Sequence, residues 1–168
     1  RQQEALLTIM IPSNDDHDIW IDKDGVWHFR GEEMTRMDIV QYFYSHLKRD
    51  SDGNYLIEIE NDRCRVGVED APYVIRSVAV GYSQDDGQPC IELFLTDGSS
   101  EELNHDTPLW TGSDNVMYCR VKKGDCVARF SRSAYYQICE YAVYDPEREQ
   151  YSINVPDRSY SVTSLNQP

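Results

Sequence analysis

Alternating apolar and polar positions run through much of the chain and predict β-hairpins. In the first hairpin, Ile19–Ile21 and residues 26–29 flank Lys23-Asp24-Gly25, a turn sequence typical of hairpins. In the next, Tyr55–Ile59 alternates with polar residues and is followed by a return strand over residues 64–68. The N-terminal part of the chain is therefore predicted to contain two hairpins.

The middle of the chain continues this pattern and predicts a meander of strands. Pro72 precedes a long strand predicted over residues 73–82, and a second strand is predicted over 91–95. Residues 117–130 form two alternating runs that separate at Lys123-Gly124. A last strand is predicted over residues 151–155.

Two stretches show helical spacing instead. Thr35 and Asp38 resemble an N-cap pair, and the apolar stripe that follows predicts a helix near residues 36–48. The stripe consists of Met37, Val40, Phe43, Tyr44 and Leu47. Ser131 is predicted to cap a second helix, which Asp145-Pro146 ends. Its stripe consists of Tyr135, Ile138, Cys139 and Ala142.

The two helical regions have the same surroundings, which indicates an internal repeat. Each is preceded by a hairpin with a Gly turn and followed by a polar turn and a strand that opens near a tyrosine, Tyr55 or Tyr151. The predicted fold class is α+β, with two related lobes that each hold an antiparallel sheet and one helix. The lobes are assigned to residues 13–72 and 73–157, flanked by segments 1–12 and 158–168, the latter a polar tail.

Charge restricts the partners. The chain carries 30 acidic and 16 basic side chains, a net charge of −14, which disfavours nucleic acid and anionic membrane surfaces as partners. No apolar run has the length of a membrane-spanning helix, and residues 1–12 lack a signal-peptide pattern. A cytoplasmic location is the expectation.

Neither the cysteines nor any known catalytic motif indicates a reaction or a metal site. The 5 cysteines include no Cys-x-x-Cys pair, so we predict no metal site, no cofactor and no disulfide framework. Cys64, Cys119 and Cys126 alternate with polar residues and are interpreted as small buried hydrophobic side chains. Phosphate loops, dinucleotide fingerprints and hydrolase elbows are absent, which favours a binding module over an enzyme.

The hairpin over residues 117–130 offers a candidate anion site. Its pleat places Arg120 and Arg129 on the face opposite the apolar one. Arg132 follows at the start of the second helix, where free N–H groups favour an anion. These arginines could hold a phosphate or carboxylate while Tyr135 or Tyr136 stacks on a ring. Alternatively, the arginines pair with carboxylates of the protein itself.

Glu69 and Asp70 form the other candidate. These adjacent carboxylates precede Pro72 at a strand end and could position a cation, a sugar hydroxyl or an arginine. An arginine partner is favoured, because two carboxylates supply too few ligands for a metal. The alternative function is a small hydrolase or transferase that acts on a phosphorylated metabolite with Glu69 or Asp70 as base.

Several short segments of the chain form a recognisable set. The N-terminal ones are residues 21–27, Gly31, Arg36, Ile39-Val40, Phe43, Leu47, residues 52–56 and, above all, Val68-Glu69-Asp70-Ala71-Pro72-Tyr73. The C-terminal ones are Arg120, residues 128–132 and Tyr135-Tyr136. Together these segments resemble a bacterial family, the domain of unknown function DUF1285. Relatives commonly carry Thr-Pro-Val-Glu where residues 57–62 read Ile-Glu-Ile-Glu-Asn-Asp.

The resemblance implies more than the residues alone indicate. It implies two lobes with duplicated cores, the second superficially similar to pleckstrin-homology-like folds. It also implies a site for a nucleotide-like ligand between the lobes and a role in signal transduction. The residues themselves leave open an acidic group of a protein partner as an alternative to the small molecule. Combined with the residues, it predicts a module that senses an anionic small molecule.

Overall fold

The computed structural model describes residues 18–164. The chain divides into two compact units, Arg1–Pro72 and Tyr73–Pro168, which are called the N-terminal unit and the C-terminal unit. Both contain a mixed sheet and one helix within the described residues, so the predicted α+β class is confirmed.

The N-terminal unit is built on a six-stranded sheet in the order β3-β2-β1-β6-β5-β4. Its elements are β1 (Ile19–Ile21), β2 (Trp27–Phe29), β3 (Glu32–Glu33), α1 (Met37–Ser45), β4 (Leu47–Arg49), β5 (Tyr55–Ile59) and β6 (Asp62–Val68). The first and last strands, β1 and β6, pair in parallel, and the other pairs are antiparallel.

Aromatic side chains fill the core of the N-terminal unit. Trp27 is 1% exposed; its ring centroid lies 5.9 Å from that of Phe43 and 4.8 Å from that of Tyr44. The Tyr44 hydroxyl donates a hydrogen bond to the Pro72 carbonyl oxygen at 3.0 Å. The buried stripe of α1 thus packs on the large side chain that β2 supplies.

The C-terminal unit has a nine-stranded sheet in the order β13-β14-β15-β10-β11-β12-β7-β8-β9. Its elements are β7 (Tyr73–Tyr82), β8 (Pro89–Leu95), β9 (Ser100–Glu102), β10 (Leu109–Thr111), a 3-10 turn (Ser113–Asn115), β11 (Met117–Val121), β12 (Cys126–Phe130), α2 (Arg132–Cys139), β13 (Ala142–Asp145), β14 (Gln150–Val155) and β15 (Arg158–Ser164). The β10–β15 and β12–β7 pairs are parallel.

The two units repeat one topology. In each, three strands lead into a helix, three more strands follow, and the last strand pairs in parallel with the first. The order β3-β2-β1-β6-β5-β4 in one unit becomes β12-β11-β10-β15-β14-β13 in the other. The C-terminal unit adds β7, β8 and β9 beyond β12.

This repeat is offset from the alignment that the sequence suggested. The hairpin over residues 117–130 corresponds to β2–β3, and not to the first hairpin, β1–β2. The offset arises because β3 is a two-residue acidic strand, Glu32–Glu33, without the alternation that marks a strand. Tyr55 and Tyr151 do correspond. Tyr55 pairs with Arg49, the third residue of β4, and Tyr151 pairs with Tyr144, the third residue of β13.

Three other expectations are corrected. The sheets are mixed rather than antiparallel, because each repeat closes by pairing its distant first and last strands. Both helices end early, at Ser45 and Cys139, and Leu47 and Ala142 begin edge strands. Residues 158–164, expected to be a polar tail, form β15, whose Tyr160 is 0% exposed.

Other local predictions are confirmed. The face of β11–β12 that carries Met117, Cys119, Val121, Cys126, Ala128 and Phe130 is buried. The interpretation of Cys64, Cys119 and Cys126 as small buried hydrophobic side chains also holds. The N-cap of α1 differs from the prediction: the cap is Arg36, without a side-chain hydrogen bond, and Asp38 pairs with its guanidinium at 2.6 Å.

Candidate ligand site

The start of α2 is fixed by its cap, as predicted. Ser131 Oγ accepts a hydrogen bond from the Ala134 N–H at 3.1 Å and donates one to the Arg76 carbonyl oxygen at 3.2 Å. The Ser131 N–H donates to the Ile75 carbonyl oxygen at 3.0 Å. These bonds join the helix start to β7 and hold the side chains of its first turn in place.

A groove of about 340 Å³ lies at this helix start. Four of the predicted site residues line it: Arg129, Arg132, Tyr135 and Tyr136. The remaining lining comes from Asp114, Asn115, Val116, Met117, Phe130 and Ser131. The charged lining side chains are therefore two guanidinium groups and one carboxylate, in a protein of net charge −14.

The two arginines reach the groove from different elements. Arg129 is the penultimate residue of β12, where it pairs with Tyr118, and is half-buried. Arg132 opens α2 and is exposed. Within residues 18–164, no carboxylate forms an ion pair with Arg132. Tyr136 is 62% exposed, and its ring meets that of Tyr135 edge-on with centroids 5.9 Å apart, so one ring presents an open face.

Arg120, the other predicted arginine, is not among the residues that line the groove. It lies near the far end of β11 and donates a long hydrogen bond, 3.5 Å, to the Gly124 carbonyl oxygen. The alternation placed Arg120 and Arg129 on one face, but it could not show that they point to different ends of the hairpin.

Glu69 and Asp70 lie on an exposed bend after β6. A Glu69 carboxylate oxygen accepts a hydrogen bond from the Lys23 N–H at 2.7 Å, and the Glu69 N–H donates to the Ile21 carbonyl oxygen at 2.9 Å. Glu69 thus ties the end of β6 to the turn of the first hairpin. This contact supplies a structural role that the sequence did not indicate.

A larger cleft of about 810 Å³ adjoins the groove in the C-terminal unit. Groove and cleft share Asn115, Met117 and Tyr135. The other cleft residues are Thr111, Cys139, Ala142, Arg148, Glu149, Gln150, Tyr151, Ile153, Val162, Thr163 and Ser164. A hydrogen bond with Cys139, together with burial, raises the pKa of Tyr135.

Other site types receive no support from the described residues. No group of three or more His, Cys, Asp or Glu side chains within residues 18–164 is arranged to hold a metal ion. In the same range, neither helix has the length and apolar character required to cross a membrane.

Comparison with known proteins agrees with this α+β fold. Residues 11–71 match the family model for the N-terminal domain of DUF1285, a domain of unknown function. The resemblance to DUF1285 seen in the sequence is thus confirmed for this segment. No curated protein matches the chain.

Two solved structures are similar to the chain. A DUF1285 family protein from Silicibacter pomeroyi DSS-3 superimposes with a TM-score of 0.73 at 19% identity, over 92% of this chain and 84% of the other. A DUF1285 family protein from Shewanella baltica OS155 has a TM-score of 0.55 at 21% identity, over 73% of this chain and 90% of the other. At these identities the likeness shows the fold.

The cleft is the feature that sequence reasoning missed. Most of its residues come from five strands and α2, and the others from the 3-10 turn and the β13–β14 turn. Their approach depends on the parallel β10–β15 pair between distant segments. The signal available in the sequence was the loss of large apolar residues in the second copy of the repeat. This loss is recognised only when the two copies are aligned by the registers of their strand pairs.

Proposed function

We propose that the C-terminal unit is a sensing or interaction module that binds an anionic, nucleotide-like small molecule in the groove at the start of α2. The observation that carries the proposal is that Arg129, Arg132, Tyr135 and Tyr136 line one groove. Guanidinium groups recognise phosphate or carboxylate through paired hydrogen bonds. A tyrosine with an exposed face offers a surface for a planar ring.

The local charge supports this assignment. Arg129 and Arg132 outnumber Asp114 in the groove lining, whereas acidic side chains outnumber basic ones in the whole chain, 30 to 16. A local excess of positive charge in an acidic protein attracts small anions over short distances. The acidic surface around the groove disfavours a long polyanion, which would extend beyond the groove and meet carboxylates.

The lining favours binding over catalysis. Its carboxylate is Asp114 and its aliphatic hydroxyl is Ser131, and Ser131 is engaged as the cap of α2. A signalling role then requires that the bound and free states differ in their affinity for a partner. The ligand would supply that difference by neutralising the Arg132 guanidinium, which forms no ion pair with a carboxylate of residues 18–164.

A thermal-shift measurement tests the proposal. AMP, ADP, ATP and inorganic phosphate are each added to the wild-type chain and to Arg129→Gln, Arg132→Gln and Lys123→Gln. Lys123 is exposed on the β11–β12 turn, so its variant is the matched control for loss of one positive charge. A ligand at about 100 times its Kd stabilises the native state by about 2.7 kcal/mol.

We expect at least one anion to raise the unfolding temperature of the wild type and of Lys123→Gln. The rise should be reduced in both groove variants. If no anion stabilises the wild type, or if all variants respond alike, the proposed anion site is wrong.

A further inference from the structure

The matching registers of the two units allow their positions to be compared one by one. Ile21 pairs with Trp27 in the N-terminal unit, and Thr111 pairs with Met117 at the same point of the C-terminal unit. The parallel pairs have matching registers as well. Ile21 pairs with Val68 in the N-terminal unit, and Thr111 pairs with Ser164 in the C-terminal unit.

The helices and the strands after them match in the same way. The His46 N–H donates to the Phe43 carbonyl oxygen, and the Tyr141 N–H donates to the Ile138 carbonyl oxygen, both at 3.1 Å. Directly afterwards, Leu47 pairs with Ile57 in one unit, as Ala142 pairs with Ile153 in the other. By this alignment Tyr44 corresponds to Cys139.

Smaller residues stand in the C-terminal unit at five of the positions that line the cleft. The exchanges, N-terminal residue first, are Ile21 to Thr111, Trp27 to Met117, Tyr44 to Cys139, Leu47 to Ala142 and Val68 to Ser164. Each leaves a smaller side chain, and three of the N-terminal counterparts, Ile21, Trp27 and Tyr44, are buried in the core of their unit. The cleft of about 810 Å³ lies where these residues meet.

Other lining positions carry a larger residue in the C-terminal unit, such as Thr163 at the position of Gly67, and one of these exchanges forms the boundary with the groove. Tyr135 stands at the position of Val40, three residues before Ile138 as Val40 is before Phe43. Its side chain lines both the cleft and the groove. The two spaces therefore share a wall and are adjacent parts of one surface.

We infer that the cleft holds the apolar body of an amphipathic organic anion whose charged end is bound by Arg129 and Arg132. This inference rests on the proposed function and specifies its ligand class: a phosphate, sulfonate or carboxylate carried on an aromatic or alkyl body. The cleft supplies apolar contacts through Met117, Ile153 and Val162. Its volume lies within the range of about 300–1,000 Å³ found for small-molecule sites.

The charges around the cleft fit this orientation. Arg148 and Glu149 both line the cleft and offset one another, whereas the arginines exceed the carboxylate in the groove. The charged end of the ligand is thus drawn to the groove, and its uncharged body is left to the cleft.

Fluorescence titration with two related probes tests the inference. Anilinonaphthalene sulfonate is an amphipathic anion, and phenylnaphthylamine is its uncharged analogue. Both are titrated into the wild type, the cleft-filling variant Thr111→Ile/Ala142→Leu, and Arg132→Gln. The filling variant introduces the residues that the N-terminal unit carries. Val143→Leu, on the neighbouring residue of β13 outside the cleft lining, is the matched control.

We expect the filling variant to raise the Kd of both probes by about tenfold or more, because the added side chains occupy the space for the naphthyl rings. A tenfold change in Kd corresponds to about 1.4 kcal/mol. Arg132→Gln should weaken the sulfonate alone, and Val143→Leu should weaken neither. Thermal unfolding of each variant, and of the single variants Thr111→Ile and Ala142→Leu, shows whether a loss of binding occurs in a folded chain.

The outcomes separate this inference from the proposed function. If filling the cleft in a folded variant leaves both probes unchanged while Arg132→Gln weakens the sulfonate, the cleft inference is overturned and the anion groove stands. If the sulfonate binds no more tightly than the uncharged probe and Arg132→Gln has no effect, the proposed function itself fails.

Discussion

The N-terminal and C-terminal units share a chain path and register, and differ in what occupies the space next to the helix. In the N-terminal unit, Trp27, Phe43 and Tyr44 fill that space and are each less than 5% exposed. In the C-terminal unit, Met117 and Cys139 stand at the positions of Trp27 and Tyr44 and line a cleft. A duplicated fold can thus keep one copy as a packed core while side-chain truncation opens the other.

The difference also shows how the C-terminal unit remains stable around an open cleft. It extends the repeat with β7, β8 and β9, which bring additional buried side chains such as Ile75, Ile91 and Leu93, each 0% exposed. The Tyr160 hydroxyl, from β15, accepts a hydrogen bond from the Ile91 N–H at 3.0 Å. Burial of apolar surface in this extension compensates for surface left uncovered in the cleft.

The largest expected effect comes from placing the C-terminal residue in the N-terminal core. Trp27→Met removes the ring that packs on Phe43 and Tyr44 and should lower the free energy of unfolding by about 2–4 kcal/mol. Urea unfolding followed by circular dichroism measures the change. Met117→Leu, a swap of similar volume in the other unit, is the control, with an expected loss below about 1.5 kcal/mol. Equal losses in the two variants would contradict the difference in packing.

A somewhat smaller effect is expected in the part of the C-terminal unit that has no N-terminal counterpart. Asp97, in the β8–β9 turn, accepts hydrogen bonds from Lys122 Nζ and Ser99 Oγ, both at 2.6 Å. Burial acts to raise the pKa of Asp97, but the bonds from Lys122 and Ser99 outweigh it and hold that pKa below its ordinary value. The ionised form is therefore stabilised by folding.

Asp97→Asn should reduce the free energy of unfolding by about 1–3 kcal/mol at neutral pH. Because the pKa is lower in the folded state, the stabilisation is present above the unfolded pKa of about 3.9 and disappears as the pH falls through the folded value. Chemical unfolding of the wild type and the variant from pH 7 downward measures this. A difference that stays constant down to acid pH would show that the carboxylate charge is not responsible.

The first hairpin loops of the two units offer a finer comparison. The Asp22 carboxylate accepts hydrogen bonds from the N–H groups of Asp24 and Val26 at 2.9 and 3.0 Å, and bonds to His28 Nε2 at 2.8 Å. Gly112 stands at the equivalent position, where an added Cβ would lie 3.0 Å from Tyr118 Cε2. One loop is therefore held by a carboxylate, and the other leaves room for a tyrosine ring.

Asp22→Ala should destabilise the chain by about 1–2 kcal/mol, since it leaves these donors without their acceptor. Thermal unfolding measures the change. Asp24→Ala, which removes an exposed carboxylate from the same turn, should change stability by less than about 0.5 kcal/mol. Similar losses from the two substitutions would mean that the Asp22 hydrogen bonds do not stabilise the loop.

The smallest effect is expected at Arg120. Arg120 does not line the groove, so Arg120→Gln should leave the Kd for anilinonaphthalene sulfonate within about twofold of the wild-type value, a difference below about 0.5 kcal/mol. Fluorescence titration beside Arg132→Gln measures it. A loss as large as that of Arg132→Gln would extend the anion site along the hairpin, as the sequence alone had suggested.

Local features of this fold were predictable because local interactions determine them. Tyr73–Tyr82 is the predicted strand residue for residue, since Pro72 fixes its start. The cap at Ser131 was predictable from the adjacent hydroxyl and helical stripe. The buried face of β11–β12 followed from alternation, which assigns faces independently of the rest of the chain.

Features that depend on distant pairing could not be predicted in this way. Leu47 and Ala142 continue the helical spacing of the residues before them. They lie in strands because they pair with Ile57 and Ile153, which are distant from any local helical pattern. The parallel pairs between first and last strands leave no local pattern. Arg129, Arg132, Tyr135 and Tyr136, predicted from residue type and spacing, line one groove, but the cleft is recognised only by comparing the two units.

The most direct test of the account is a crystal structure of the chain with anilinonaphthalene sulfonate bound. The account predicts the naphthyl rings in the cleft beside Ala142 and Met117, and the sulfonate within hydrogen-bond distance of Arg129 or Arg132. A probe bound elsewhere on the chain, or a cleft that stays empty while the sulfonate binds at the arginines, would contradict the claim that the second copy of the repeat was opened to hold a ligand.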